Sequence, residues 1–454
     1  MRLRDVIFFS ALDKGDIVSE RKQCIDEGKD ISSLEAEFEK YSKEDYPQNE
    51  LEAFFEKTAN LPTNSNEPSD YESIMALCKN QEDYKEMPKD FDDKLAGGII
   101  GKIVGCELGK PLECTDKAQI ENYLRSTNNF PIKFYATYDE RFIVNNRPAT
   151  DQNLYYGGFD IANSDDDINF AILNMKAYKE WDKTKRPIDV GMGHESVVKY
   201  EKEISPIDIA LCWLTSVAFT NVATAEQVAY KNFTRWIEPP LSATVNNPYR
   251  EWVGARIRAD FWGWINPLSP REAAKLAWTD ACISHIKNGI YGEMFASAMI
   301  SNAYHEKDIR EVIIKGLNFV PTNSRLYKGI TDIIKLYDEG KSYDDSISYI
   351  RSIWDEKSMY DWTHVISNTQ IVVTCLLWGE DFLDSIKKSI YPGFDTDSNG
   401  ATVGSIMGVF LEVKSIPKEW YECFNDTLET TTLGYNYIKI TDLIKEVKSL
   451  ANKS

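Results

Sequence analysis

The chain has 454 residues, of which 43% are hydrophobic, so it can bury a sizeable core in one large domain or in two to three ordinary ones. Its formal charge of −20 at pH 7 disfavours a nucleic-acid backbone as a partner, because a polyanion is bound by clustered Lys and Arg. The eight cysteines are scattered and form no CxxC pair, which disfavours a zinc ribbon and predicts reduced thiols in a cytoplasmic protein.

Residues 1–92 are acidic and rich in helix formers, and they contain no motif that suggests chemistry. The first residues, MRLRDVIFFSALDKGD, have an apolar run that is short and broken by Asp13, which is not typical of a signal peptide. Capping residues before amphipathic runs predict helices in SSLEAEFEKY and NELEAFFEKTANL, and LPTNSNEPSD predicts a turn-rich connector. We predict an acidic helical N-terminal extension that caps the main domain.

Residues 93–454 are dominated by helical patterns, and the predicted fold class is all-α. Ser269 and Pro270 predict the start of one helix, and TDLIKEVKSLANKS places its apolar residues on one face. The one candidate strand covers residues 132–144. The longest apolar stretch, residues 209–219, is shorter than the ~20 residues that a membrane span needs, so no membrane contact is expected.

Two segments carry glycine at every fourth position, which puts the glycines on one helix face. These glycines are Gly97, Gly101, Gly105 and Gly109 in the first segment and Gly400, Gly404 and Gly408 in the second. Glycine costs about 1 kcal/mol in a helix interior relative to alanine, so the pattern indicates very close approach to another backbone. Tight helix packing with no catalytic role is the alternative for the glycines alone.

Acidic residues stand at the end of each glycine-rich segment and in a third place. Glu113 follows the first segment, and DTDSNG, with Asp395 and Asp397, precedes the second. In NSDDD, residues 163–167, a helix N-cap would explain one or two of the acids, but three consecutive aspartates repel one another unless a cation or protons neutralise them. DTDSNG also matches half of an EF-hand loop, but Ile406 stands where the bidentate Glu should be, so we reject that reading.

Taken together, GGIIGKIVGCELGKPLE, the SDDD segment and GFDTDSNGATVGSIMG resemble the ADP-ribosylglycohydrolase family. The segment GARIRADFWGWINPLSPREAAKLAWTDACISHIKNGIYG is similar to the family's Gly-x-x-Met-Arg stretch and its Thr/Ser-His element. One aspartate of the family pattern is absent, because Cys106 stands in its place. The resemblance implies an all-α fold with a site for two Mg²⁺ ions, with Mn²⁺ as a possible substitute.

The resemblance also implies roles for particular residues. The family's T-D-D-T falls either on residues 164–167 or one residue later, and we prefer the later alignment. The implied metal ligands are Asp165, Asp166, Asp167, Asp395, Asp397 and Ser398. The implied catalytic residues are Glu113, Asp166 and Asp397, although Glu113 is also explained as a structural carboxylate at a helix end. The implied substrate contacts are Gly254, Arg258 and His285, for which a salt bridge of Arg258 with a neighbour such as Asp260 and a satisfied helix histidine are the alternatives.

The expected function is hydrolysis of an ADP-ribosyl, or related ribosyl, glycosidic bond on a modified protein or a small molecule. A non-catalytic relative that binds ADP-ribose is the alternative. Zinc is not expected, because the four histidines, at 194, 285, 305 and 364, show no ligand-like spacing with one another or with a cysteine pair.

Overall fold

The structure is a computed structural model that describes residues 11–63, 65–144, 147–148, 152–182, 188–189, 195–196 and 203–451. The fold is all-α, and the described residues form 21 α-helices and three two-stranded hairpins. The hairpins are β1 (Ile143–Val144) with β2 (Arg147–Pro148), β3 (Ile188–Asp189) with β4 (Glu195–Ser196), and β5 (Thr427–Glu429) with β6 (Tyr437–Lys439), each antiparallel. The candidate strand over 132–144 is therefore wrong except for its last two residues.

The helices that precede the SDDD segment are α1 (Lys14–Asp26), α2 (Glu35–Tyr41), α3 (Gln48–Ala59), α4 (Tyr71–Ala76), α5 (Phe91–Gly109) and α6 (Lys117–Ser126). The central helices are α7 (Asp166–Asp182), α8 (Pro206–Ser216), α9 (Thr224–Thr234), α10 (Asp260–Ile265), α11 (Pro270–Ala281), α12 (Lys287–Ala303), α13 (Ile309–Gly316) and α14 (Arg325–Asp338). The C-terminal helices are α15 (Tyr343–Ile353), α16 (Met359–Thr363), α17 (Val365–Trp378), α18 (Phe382–Ile390), α19 (Thr396–Leu411), α20 (Glu419–Glu422) and α21 (Ile440–Ala451).

Local sequence signals explain several of these helix ends. The Ser269 side chain accepts a hydrogen bond from the backbone amide of Glu272 at 3.1 Å, and Pro270 occupies the first turn of α11, as expected. Helix α21 buries Leu443, Val447 and Leu450, which recur at helical spacing. No helix among the described residues is both long enough and apolar enough to cross a membrane.

Residues 12–61 contain a small hydrophobic cluster, which includes Phe38, Phe54 and Leu51 and is separate from the large core. The guanidinium of Arg250, which is 4% exposed, forms ion pairs with Glu20 and Glu27 of α1. Buried charges thus connect α1 with the residues around Arg250. The division of the chain into an N-terminal extension and a main domain stays a prediction.

Candidate metal centre

Helices α5 and α19 pack against each other in antiparallel fashion through their glycines. The facing pairs are Gly97 with Gly408, Gly101 with Gly404, Gly105 with Gly400, and Gly109 with Thr396. A Cβ atom built on Gly101 would lie 2.2 Å from the carbonyl oxygen of Gly404, and a Cβ on Gly404 would lie 2.1 Å from that of Gly101. Real Cβ atoms do not approach a backbone so closely, so the prediction of close backbone approach is confirmed.

The antiparallel register brings the acidic ends of the two segments together. Helix α5 ends at Gly109 and is followed by a 3-10 turn and Glu113, while α19 begins at Thr396, directly after Asp395. The Thr396 hydroxyl donates a hydrogen bond to the Gly109 carbonyl at 2.9 Å, which ties the two ends to each other. Carboxylate oxygens of Glu113, Asp395 and Asp397 consequently lie within 4.8 Å of one another.

A second group of carboxylates is contributed by the start of α7. Oxygens of Asp165, Asp167 and Asp397 also lie within 4.8 Å of one another, so Asp397 belongs to both groups. The Asp167 backbone amide donates to Asp165 Oδ1 at 3.0 Å, and the Ser398 hydroxyl donates to Asp167 Oδ2 at 3.1 Å. These hydrogen bonds hold the second group in place beside the first.

Asp167, Asp395 and Asp397 are buried and Glu113 and Asp165 are half-buried, so the carboxylates repel one another with little screening by solvent. Burial raises the pKa of Glu113, Asp167 and Asp397 well above the usual range, and neighbouring carboxylates raise it further. Burial likewise raises the pKa of Asp395 to about 7. Buried carboxylates of this kind need protons or cations to compensate them.

The geometry and the donor type fit hard divalent cations. Asp167 Oδ1 and Asp397 Oδ1 are buried and accept no hydrogen bond from the described residues. Opposite oxygens around Mg²⁺ are about 4 Å apart, which is compatible with the spacing in each group. The donors are all oxygens, the ligands that Mg²⁺, Mn²⁺ and Ca²⁺ prefer. Two groups that share one carboxylate could hold two such ions.

Asp166 is the predicted carboxylate ligand that the structure does not bring into either group. Asp165 precedes α7 whereas Asp166 and Asp167 lie in its first turn, so consecutive side chains point in different directions. Burial raises the pKa of Asp166 well above its usual range, and the carboxylates of Asp165, Asp167 and Glu226 raise it further. The Asp166 carboxylate is therefore repelled both by Asp165 and Asp167 of the candidate centre and by Glu226 of a second polar cluster.

This second polar cluster contains the three residues expected to contact the substrate. Arg258 is completely buried and forms ion pairs with Glu226 at 2.8 Å and with Asp280 at 3.0 Å. A Cβ on Gly254 would lie 2.2 Å from Glu226 Oε1, so only glycine leaves room for that carboxylate. His285 is buried, and its Nδ1 lies 2.9 Å from the Ser284 hydroxyl.

The arrangement favours the salt-bridge alternative for Arg258, but with different partners from the one expected. Asp260 is instead paired with the buried Lys102 of α5 at 2.6 Å. Burial lowers the pKa of His285 well below its usual range, which keeps the imidazole neutral. The ligand contacts of Gly254, Arg258 and His285 stay predictions. His194 lies outside the described residues.

Two cations of the site were missed by the sequence reasoning. The Lys110 ammonium lies 3.1 Å from Glu107 and 3.4 Å from Asp165. Arg256 is 1% exposed, and four aspartates, among them Asp395 and Asp167, favour its charged form. Both residues lie within motifs that the sequence analysis singled out, Lys110 in GKPLE and Arg256 in GARIR. A basic residue inside a largely apolar, glycine-containing motif could have predicted a buried cation near the acids.

The fold and this site define an all-α protein with a candidate carboxylate centre for two divalent cations. The family model described as "ADP-ribosylglycohydrolase" matches residues 87–451, and the chain belongs to that family. A solved structure titled "ADP-ribosylglycohydrolase-related protein complex" is similar over 80% of this chain and 99% of its own, with 13% identity and a TM-score of 0.48. No curated protein sequence matches this chain.

Proposed function

We propose that the protein is a Mg²⁺-dependent hydrolase that cleaves an ADP-ribosyl, or related ribosyl, glycosidic bond on a modified protein or a small molecule. Membership of a glycohydrolase family supports glycosidic hydrolysis as the reaction class. The observation that carries the metal dependence is the pair of carboxylate groups that share Asp397. Asp165, Asp167, Asp395, Asp397 and Glu113 would hold the ions, with Ser398 at the edge of the site through its bond to Asp167.

Two divalent cations held there would supply Lewis acidity and a template for the hydroxyls of the ribose and for a water molecule. The side chains of this protein then have separate tasks. Asp397 contacts both groups and would set the spacing between the ions. The unpartnered oxygens of Asp167 and Asp397 would face the ions and not a protein donor. The negative charge of the carboxylates would also stabilise the positive charge that develops on the sugar during glycosidic cleavage.

Glu113 is the candidate for acid–base work, as the sequence predicted. Burial and the neighbouring acids Asp397, Asp165 and Asp166 raise the pKa of this half-buried carboxyl group well above the usual range, which favours the protonated form that a general acid needs. It also lies within ligand distance of Asp395 and Asp397, so it is a candidate ligand as well. Glu113→Gln separates the two roles: loss of turnover with unchanged Mg²⁺ affinity supports the acid–base role, and weakened Mg²⁺ binding supports the ligand role.

A cavity of about 300 Å³ is lined by Cys114, the residue that follows Glu113 in the chain, and by Asp116, Glu356 and Trp362, among others. We place the leaving part of the substrate in this cavity, because Cys114 is bonded directly to the candidate acid–base residue. Trp362→Ala should then raise KM more than it lowers kcat.

The experiment that tests the proposed function follows the release of ADP-ribose from ADP-ribosylated arginine and serine peptides, together with calorimetric binding of ADP-ribose. Asp395→Ala and Asp397→Ala should each abolish turnover and weaken Mg²⁺ binding while the far-UV circular dichroism stays unchanged. Binding of ADP-ribose without turnover by the wild-type protein would instead support the non-catalytic alternative. Wild-type turnover in either variant would refute the assignment of the aspartates.

A further inference from the structure

Arg256 is a buried cation that forms no ion pair with a carboxylate among the described residues. It lies in the 3-10 turn Arg256–Arg258 and is 1% exposed. Its Nη2 donates to Asn399 Oδ1 at 2.9 Å, whereas Nε and Nη1 have no hydrogen-bond partner among the described residues. The neighbouring buried cations differ in this respect, since Arg258 and Lys102 each form close ion pairs.

A chain of two asparagines connects Arg256 to the candidate metal centre. The Asn399 amide donates to Asn368 Oδ1 at 2.9 Å, and the same oxygen accepts the Asp395 backbone amide at 3.3 Å. Asn368 is itself fixed on α17, where its amide donates to the carbonyls of Trp362 and His364. These side chains are buried, so the position of the guanidinium relative to Asp395 is set by a continuous hydrogen-bonded network.

The surrounding charges explain why a cation is tolerated here. Burial lowers the pKa of the Arg256 guanidinium to about 10, and the carboxylates of Asp395, Asp167, Asp260 and Asp397 oppose part of that effect. Three of these four are in the carboxylate groups of the candidate metal centre, and the fourth, Asp260, is already neutralised by Lys102. The carboxylates that favour the charged form of Arg256 are therefore mostly the ones that would bind divalent cations.

We propose that Arg256 is a resident counter-cation of the metal centre: it stabilises the carboxylates when they hold no metal, and it lowers the affinity with which they bind divalent cations. This inference rests on the proposed function, because it takes the carboxylate groups to be a metal centre. Arg256 is a positioning residue in this account, since it acts through the carboxylates and not on the substrate. Like charges repel, so the guanidinium and a bound divalent cation oppose each other.

The proposal predicts effects of opposite sign on the metal-free and the metal-bound protein. In Arg256→Met, which removes the charge but keeps most of the side-chain volume, the thermal midpoint in EDTA should fall. The midpoint gain on adding Mg²⁺ should be larger than in the wild type, and the Kd for Mg²⁺ should be roughly tenfold lower. Arg256→Lys, which keeps the charge, should bind Mg²⁺ with an affinity close to that of the wild type.

The experiment is a calorimetric titration of the full-length protein with Mg²⁺, paired with thermal melts in EDTA and in saturating Mg²⁺. An equal or weaker Mg²⁺ affinity in Arg256→Met would overturn the proposal. Arg256→Gln, which keeps a hydrogen-bond donor for Asn399, is the second variant. Failure of both variants to fold in saturating Mg²⁺ would also overturn the proposal, because bound ions should replace the lost charge of Arg256. Absence of Mg²⁺ binding in the wild type would refute the proposed function itself, which is a distinguishable result.

Discussion

Replacement of Gly404 by alanine tests whether the contact between α5 and α19 is needed to assemble the site. The added Cβ would lie 2.1 Å from the Gly101 carbonyl oxygen and 2.8 Å from its carbon, and both are backbone atoms that cannot rotate away. Ordinary contact begins near 3.4 Å, so the helices must separate locally by about 1.3 Å. Glu113 follows the end of α5, and Asp397 lies in the first turn of α19. The same displacement of the helices should therefore disturb the carboxylate groups.

Overpacking typically lowers the free energy of unfolding by about 1–3 kcal/mol, and we expect the upper end here because the obstacle is a backbone atom. The better helix propensity of alanine raises the free energy of unfolding by only about 1 kcal/mol. A net loss of about 2 kcal/mol corresponds to a fall of roughly 3 °C in the thermal midpoint of a domain of this size. Replacement by leucine at the same position should damage folding more severely.

Gly329→Ala in α14 is the matched control for Gly404→Ala. Its nearest neighbours would be side-chain atoms of Ile366 at 3.1 Å and of Gln370 at 3.3 Å, which can move. We expect this control to be neutral or slightly stabilising. The assay is a thermal melt at one scan rate combined with ADP-ribose release. An unchanged midpoint and unchanged turnover in Gly404→Ala would refute the close-packing account.

Three further predictions concern the metal, the extension and pH. Protein stripped with EDTA should be inactive and should recover ADP-ribose release with Mg²⁺ or Mn²⁺ but not with Zn²⁺ alone; activity of the stripped protein would contradict this. Arg250→Met should cost roughly 3–5 kcal/mol of unfolding free energy, because it leaves Glu20 buried without its cation, whereas Glu27 keeps Lys287 at 2.9 Å and Lys29 at 3.7 Å; Glu20→Gln in the same chain should recover most of the loss. Burial lowers the pKa of His364 from 6.5 to about 3. As pH falls, the His364 imidazole therefore takes up a proton in the unfolded chain before it does so in the folded protein. The stability that His364 contributes is consequently lost as pH falls from about 6.5 towards 3. His364→Asn, which keeps an acceptor for the Ile366 backbone amide, should reduce the slope of unfolding free energy against pH in that range by up to about 1.4 kcal/mol per unit, and an unchanged slope would refute the assignment.

Much of the fold and the outline of the site could be predicted from local patterns. Four-residue glycine spacing predicted that each segment lies very close to another backbone, and the structure shows that α5 and α19 are each other's partners. The acids that follow α5 and begin α19 are consequently brought together. Capping residues predicted the start of α11 because a cap is formed by residues next to one another in the chain.

Non-local partners could not be read from the sequence. Arg258 pairs with Glu226 and Asp280, which are 32 and 22 residues away, and not with nearby Asp260. The pairing of Arg250 with α1 joins residues more than 200 positions apart. The direction in which the Asp166 side chain points depends on the residue at which α7 begins. The SDDD segment alone fixes that residue only to within one position.

Calorimetric titration of EDTA-stripped protein with Mg²⁺ measures how many divalent cations the two carboxylate groups that share Asp397 bind. Asp397→Asn is the variant, and circular dichroism checks that it folds. We expect two Mg²⁺ ions per chain in the wild-type protein and strongly weakened binding of both in Asp397→Asn. One ion or none in the wild type, or two ions bound with unchanged affinity in the variant, would refute a centre for two ions built on Asp397.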